Sequence, residues 1–316
     1  MKKLAIIVPC FNEEEVLLSS SKELLQVLNS LIINAKVSDN SKILFVNDGS
    51  GDKTWEIICK LTTEDKHFAG LNLAGNVGHQ NALLAGVETV ADSYDISITI
   101  DADLQDDTSV IEQMVDANLQ GADIVYGVRS DRKSDSWFKR FTAQAFYKLM
   151  SFLGANTVYN HADFRLLSKR AMKQLLNFKE RNMFLRGIVP KIGYNTAKVF
   201  YERKPRTAGK TKYPLSKMIS FAWDGITSLS IKPIALITAL GLVVVLASLI
   251  AFIYIFISYI TENTDAGWTS LMASIWLLGG LQLFSIGIIG QYIGKTYLET
   301  KERPRFVVEE YISNEE

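Results

Sequence analysis

Short apolar runs alternate with amphipathic stretches along the first 130 residues. Leu4 to Val8 is an apolar run of strand length. Leu17, Leu18, Leu24, Leu25, Leu28, Leu31 and Ile32 then recur at helical spacing, with Asn12 as the expected cap and Glu13, Glu14 and Glu15 suiting the dipole of the first turn. Lys42 to Asn47 reads as a second strand that ends at Asp48-Gly49-Ser50-Gly51-Asp52, where the glycines permit a tight turn and Asp52 can cap a helix containing Trp55 to Leu61. Phe68 to Leu73 is a third strand, and Asn76 to Asn81 opens a helix through Leu83 and Leu84. A strand at Ile96 to Ile100, a helix from about Thr108 to Gln120 and a strand from Asp123 to Val128 ending at Arg129 complete the series. This alternation predicts an α/β fold with a mainly parallel sheet, helices on both faces, and ligands at the carboxyl ends of the strands.

Downstream the pattern changes. Residues 134–154 mix aromatic and basic side chains, as in Trp137-Phe138-Lys139-Arg140-Phe141, and residues 213–230 do the same with Lys217, Met218, Phe221 and Trp223. Such segments suit either an ordinary surface helix or a helix lying in a membrane interface, with Lys and Arg at the headgroups. The next stretch favours the interface. No charged residue occurs from Pro233 to Thr261 or from Ala266 to Gly294, and each run exceeds the roughly 20 residues needed to cross a bilayer. Two transmembrane helices are expected, at about 233–259 and 267–293 within residues 231–294. Lys232 precedes the pair and Lys295, Lys301, Arg303 and Arg305 follow it, whereas the connector Glu262-Asn263-Thr264-Asp265 is acidic. The positive-inside rule then puts the part before the pair and both termini in the cytoplasm of a multi-pass membrane protein, with residues 295–316 as a cytoplasmic tail. Neither span carries an ionisable residue, which argues against a transport pathway.

Composition adds little to this. The 316 residues carry 34 basic and 34 acidic side chains, a balance that speaks against a general nucleic-acid binder. Cys10 and Cys59 lack partners at metal-ligand spacing and read as core thiols of a reducing compartment. Met1-Lys2-Lys3 before Leu4 resembles a signal peptide only superficially, because the apolar run is short and ends at Pro9.

Chemistry concentrates at the strand ends. On an extended strand Asp101 and Asp103 point the same way, and two carboxylates so close are stabilised by protonating one or by a hard divalent cation between them. Asp106 and Asp107 are expected to cap the helix that follows. Arg129 can pair either with phosphate or with the acidic cluster. His79 and His161 could ligate a metal, with helix capping or packing the expected role of each.

Pro9-Cys10-Phe11-Asn12-Glu13-Glu14, Val46-Asn47-Asp48-Gly49-Ser50, Asn76-Val77-Gly78-His79 and Asp101-Ala102-Asp103-Leu104-Gln105-Asp106 resemble the successive strand-end motifs of family 2 glycosyltransferases with a GT-A fold. With the two spans, nearly the whole chain is similar to bacterial polyprenyl-phosphate glycosyltransferases, relatives of dolichol-phosphate mannose synthase. The resemblance implies nucleotide binding by Pro9, Phe11, Glu13, Val46, Asp48, Asp101, Ala102 and Asp103, although Asp48 before Gly49 is also a common turn residue. Phe11 stands where relatives often carry Tyr. It also implies a Mg²⁺ or Mn²⁺ ion held by Asp103 and Gln105, and a role as base or sugar-orienting group for Asp163 in His161-Ala162-Asp163-Phe164-Arg165. Arg165, with Arg206 and Lys212 of the Arg206-x-x-Gly209-x-Thr211-Lys212-Tyr213 motif, is implied in binding acceptor phosphate, Arg206 with a catalytic part; a flank that only anchors topology reads equally from the basic loop.

The expected reaction is inverting transfer of a hexose from a nucleotide diphosphate sugar, UDP-glucose first among donors, to undecaprenyl phosphate at the membrane, by a chain that forms a homo-oligomer. Because a phosphate monoester is already anionic, Asp163 is expected to orient rather than to abstract a proton. UDP-N-acetylglucosamine and GDP-mannose are the alternative donors. A processive polysaccharide synthase calls for a Gln-x-x-Arg-Trp motif and more spans, which the chain lacks. A non-catalytic nucleotide-sugar-binding scaffold would leave the acidic cluster without purpose.

Overall fold

The computed structural model describes residues 1–130, 161–181, 184–202 and 267–314, with scattered positions between 233 and 257. Eight strands, β1 (Leu4–Cys10), β2 (Lys42–Asn47), β3 (Phe68–Leu73), β4 (Ile96–Thr99), β5 (Ile124–Arg129), β6 (His161–Ser168), β7 (Thr196–Tyr201) and β8 (Val308–Ser313), form one sheet in the order β7-β5-β6-β4-β1-β2-β3-β8. Pairings β1–β2, β1–β4, β2–β3 and β5–β7 are parallel, while β6 runs antiparallel to β4 and β5, and β8 antiparallel to β3. The expected α/β class with a mainly parallel sheet is therefore present.

The order of strands places the chemistry. From β1 the chain proceeds to β2 and β3 on one side and returns to β4 on the other, so a crevice opens at the carboxyl ends of β1 and β4. Because β6 opposes its neighbours, its amino end reaches the same rim as the carboxyl ends of β4 and β5. Residues after Cys10, Asn47, Thr99 and Arg129, and those starting at His161, thus share one edge.

Helices α1 (Leu17–Ile33), α2 (Thr54–Glu64), α3 (His79–Val90), α4 (Ile111–Leu119) and α5 (Lys169–Leu176) cover the sheet. One core layer packs Leu24, Leu28, Ile58 and Met114 against β1 and β2 side chains such as Ile6 and Phe45, and the other packs Leu83, Val87 and Met172 against Ile7 and Val46. Gly86 lets α3 approach this second face, since a Cβ there would lie 2.4 Å from Ile7 Cγ2.

Several local expectations change. Helix α1 begins at Leu17, and Asn12 lies outside it with φ 55°, its Oδ1 accepting the Gly51 N–H at 2.8 Å. The acidic residues instead enter the turn beside β2, where the Glu13 and Glu14 N–H groups donate to Thr54 Oγ1 and Asp52 Oδ2. Asp107 caps a short 3₁₀ turn, Thr108–Val110, ahead of α4, accepting the Ser109 N–H at 3.1 Å. Asp106 does not cap. It is buried and paired with Arg129.

A short helix, α6 (Leu185–Ile188), precedes β7, and α7 (Trp268–Thr300) runs 33 residues, about 50 Å at the usual rise. Its Leu277–Thr300 part is the one helix among the described residues long and apolar enough to cross a membrane. The described positions between 233 and 257 are helical, and Ile250, Ile253 and Ile257 among them are exposed; most of the first expected span and both expected interfacial helices lie outside the described residues. The C-terminal residues are not a loose tail. Glu299, in the last turn of α7, accepts the Arg181 N–H, Arg305 donates to the Phe178 carbonyl at 2.5 Å, and β8 then joins the sheet beside β3.

Candidate active site

One wall of the rim is built from two loops pressed together. After β2, Gly49 takes φ +64°, and a Cβ on it would lie 2.5 Å from the Asn76 N. The adjoining Asp48 is buried, and its two carboxylate oxygens accept the Val77 and Gly78 N–H groups at 2.7 and 3.0 Å. Burial raises its pKa, and these two N–H groups and His79 only partly oppose the rise. Asp48 thus shapes the turn that starts α3. Pro9 and Val46 are register partners within the sheet, Val46 fully buried in the core, whereas Phe11 is 48% exposed at the rim and Glu13 half-buried.

The acidic turn follows β4. The strand ends at Thr99, so Asp101 and Asp103 are brought together by a turn rather than by strand alternation. The Leu104 N–H donates to the Asp101 carbonyl at 3.2 Å, and Leu104 itself takes φ 42°. A leucine in the left-handed region is strained, and here its side chain, buried in the core, holds the turn. The Ala102 carbonyl accepts Ser20 Oγ at 2.6 Å, tying the turn to α1. Asp101 sits above the ordinary carboxylate range: desolvation raises it, His79 opposes, and Asp163, Asp106 and Asp103 add to the rise.

Gln105 is buried, its backbone N–H reaching Asp103 Oδ1 at 3.4 Å and its Nε2 lacking a partner among the described residues. Among the described residues no three His, Cys, Asp or Glu side chains converge on a metal position. Two carboxylates and an amide are nonetheless a hard-oxygen donor set, and magnesium-type ions commonly take one or two carboxylates with substrate phosphates completing the shell. The residues fit a cation that arrives with a diphosphate.

Opposite this turn stands Asp163, near the amino end of β6. Its backbone carbonyl accepts Thr99 Oγ1, fixing β6 to β4. Its carboxylate is shared by two guanidinium groups: Arg165 Nη2 on Oδ1, and Arg186 Nη2 on Oδ2 at 3.1 Å. Burial would raise Asp163, but Arg186, Arg165 and His79 outweigh it and hold the carboxyl well below its usual range. His79 Nε2 stands 3.4 Å from Asp101 Oδ1 and 3.9 Å from Asp163 Oδ2, so it spans the two acidic groups.

Arg165 is 2% exposed and also donates to the Leu185 carbonyl, which places it behind Asp163 rather than at the opening. Arg129 likewise turns inward, its Nη2 3.0 Å from Asp106 Oδ1. Of the two partners expected for Arg129, the acidic cluster takes it. Arg206 and Lys212 lie outside the described residues.

One group at this rim was not singled out in the sequence: Arg186 enters from α6, whose sequence Leu185-Arg186-Gly187-Ile188 carries no strand-end signature. His79, quoted in the Asn76-Val77-Gly78-His79 motif, bridges two acidic groups. Gln80 Oε1 accepts the Leu185 N–H at 2.8 Å and so draws α6 to the start of α3.

Residues 5–176 match the family model described as Glycosyl transferase family 2, and residues 232–296 match the GtrB C-terminal hairpin. The chain is similar to the uncharacterised glycosyltransferase YkoT of Bacillus subtilis strain 168, at 52% identity over 99% of this chain and 93% of the relative. It is similar to the prophage bactoprenol glucosyl transferase homolog of Escherichia coli K12, at 39% identity over 97% and 98% of the two chains. A bactoprenol glucosyl transferase of Shigella phage SfX is 37% identical over 97% of this chain and 98% of its own.

Proposed function

The chain belongs to glycosyl transferase family 2, and from that premise we propose that it moves one glucosyl unit from UDP-glucose to a polyprenyl phosphate, with inversion, at the cytoplasmic face of a membrane. The names of relatives covering nearly the whole chain support both the sugar and the lipid. One structural observation carries the reading. The Asp48 loop, the Asp101–Gln105 turn and Asp163 lie on one rim of a GT-A sheet, and the last turn of a membrane-length helix is hydrogen-bonded to the same domain through Glu299 and the Arg181 N–H.

In this reading residues 1–212 form the catalytic domain and 231–294 the membrane hairpin, with both termini cytoplasmic. The donor's diphosphate lies along the acidic turn, and its nucleoside on the wall made by residues 48–52 and 76–78. Asp103 and Gln105 would hold a divalent cation, which would supply positive charge for the leaving diphosphate. An oxygen of the lipid phosphate forms the new bond to the anomeric carbon while the bond to the nucleoside diphosphate breaks on the opposite side. No proton has to leave the acceptor, because a phosphate monoester is ionised at neutral pH. That agrees with Asp163, which two arginines hold as an anion and which is correspondingly a weak base.

Membranes containing the protein, incubated with radiolabelled UDP-glucose, undecaprenyl phosphate and Mg²⁺, are expected to yield one labelled, chloroform-soluble lipid that is released by mild acid. Parallel reactions with UDP-N-acetylglucosamine and GDP-mannose decide the sugar. Absence of labelled lipid from all three donors would remove the transfer reading.

A further inference from the structure

We infer that Arg186 binds a phosphate of the transfer reaction and that Asp163 is the positioning residue that aims it. The inference rests on the glycosyl-transfer reading above. Its starting point is the way the chain holds Arg186. Leu185 and Ile188 of α6 are buried in the core, the Gly187 and Ile188 N–H groups close onto the Phe184 carbonyl, and the Leu185 N–H is bound by Gln80. The backbone beneath Arg186 is thereby fixed, yet its side chain remains 37% exposed.

The side chain is aimed as well as anchored. Asp163 Oδ2 receives Arg186 Nη2 at 3.1 Å while Oδ1 is engaged by the buried Arg165. Arg165 therefore neutralises and orients Asp163 from behind, and Asp163 in turn orients Arg186 from below. His79, touching both Asp163 and Asp101, puts this guanidinium beside the acidic turn where the diphosphate is proposed to lie. A guanidinium presents five N–H donors on a planar fork that matches phosphate oxygens, and the exposed part of Arg186 is where such an oxygen would meet it. Lysine has no such fork. The phosphate is either that of the donor's diphosphate or that of the lipid acceptor, and the experiment separates them.

Full-length protein in detergent and lipid is compared with Arg186→Gln, Arg186→Lys and Asp163→Asn. Arg186→Gln is expected to lower kcat/KM roughly tenfold to a hundredfold, the effect of losing a charge-assisted hydrogen bond, in a folded protein that melts somewhat lower because Asp163 keeps only Arg165. Arg186→Lys restores only part of that loss. A weakened donor KM together with weaker UDP binding by calorimetry assigns the diphosphate, whereas a rise confined to the acceptor KM assigns the lipid phosphate. Asp163→Asn shifts the same KM, and combining it with Arg186→Gln adds little, as expected of groups acting in series. Should Asp163→Asn fail to fold, the Arg186 variants decide alone. The inference is overturned if Arg186→Gln keeps kcat and both KM values within about twofold, a change too small for a lost charged contact. If the unsubstituted protein transfers no sugar, the function reading falls first, and equal affinity of unsubstituted and Arg186→Gln protein for UDP and for undecaprenyl-phosphate vesicles then overturns the role of Arg186.

Discussion

Arg129, at the end of β5, reaches back to Asp106, its Nε and Nη2 donating to Asp106 Oδ1 at 3.3 and 3.0 Å. Asp106 is 2% exposed. The pair therefore holds the acidic turn after β4 to the end of β5, across the intervening β6, and removing one partner leaves a charge in the protein interior. Arg129→Ala is expected to cost about 3 kcal/mol of stability, at the lower end for a broken buried pair because Arg129 is partly exposed. A denaturant midpoint shift measures it, and an unchanged midpoint would return Arg129 to the surface.

Asp163 makes the fold acid-sensitive. Its carboxyl is held below the usual range in the folded protein, whereas in the unfolded chain it titrates near the ordinary value of about 3.9. The folded state therefore binds this proton less readily. The stability it contributes is complete above about pH 4 and is lost as pH falls further toward the depressed folded value. Melting temperature followed from pH 6 to pH 3 is expected to fall less steeply in Asp163→Asn than in the unsubstituted protein, the variant starting lower because Arg165 loses its counter-charge.

Asp103→Ala is expected to abolish transfer by at least about a hundredfold, the scale of removing electrostatic stabilisation from a leaving group, while the fold survives because Asp103 is half-exposed on a turn. Chelation of divalent ions should silence the unsubstituted protein, with activity returning on adding Mg²⁺ or Mn²⁺. Transfer that continues in chelator would remove the cation from the mechanism.

Gly49→Ala meets two obstacles at once, a φ of +64° and a backbone nitrogen 2.5 Å from the new Cβ. A loss of roughly 2 kcal/mol or more is expected, together with weaker UDP binding, since the Asn76–Gly78 loop must move away from Asp48. Gly75→Ala, where nothing lies within 4 Å of a Cβ, is the control.

Truncation after Arg303 removes β8 and uncovers the edge of β3. Val307 no longer receives the Ala74 N–H at 2.9 Å, and Ser313 and Asn314 no longer receive Lys42. The truncated protein is expected to melt lower and to aggregate more readily, because a bare sheet edge pairs with other chains. Light scattering on heating tests this; identical behaviour of the two proteins would show that β8 contributes nothing.

Much of this molecule was legible in its sequence because the information was local. The apolar runs of β1, β2 and β3 and the helical spacing of Leu24, Leu28 and Leu31 are periodic within a few residues, and the glycine and aspartate clusters after the strands mark turns without reference to anything distant. The chemistry types at the rim followed from those motifs. Tertiary structure decided what depends on partners far along the chain. Strand β6 runs antiparallel between β4 and β5, with Arg165 opposite Thr99 and Tyr126, and β8 pairs with β3, more than 200 residues earlier. Charged groups depend most on such partners, since a carboxylate is a cap, a ligand or half of an ion pair according to what stands within about 4 Å. Asp106 found Arg129, Asp163 found Arg186, and His79 came between Asp101 and Asp163. Those pairings arise from folding residues 79, 106, 129, 163 and 186 onto one rim, and no local pattern encodes them.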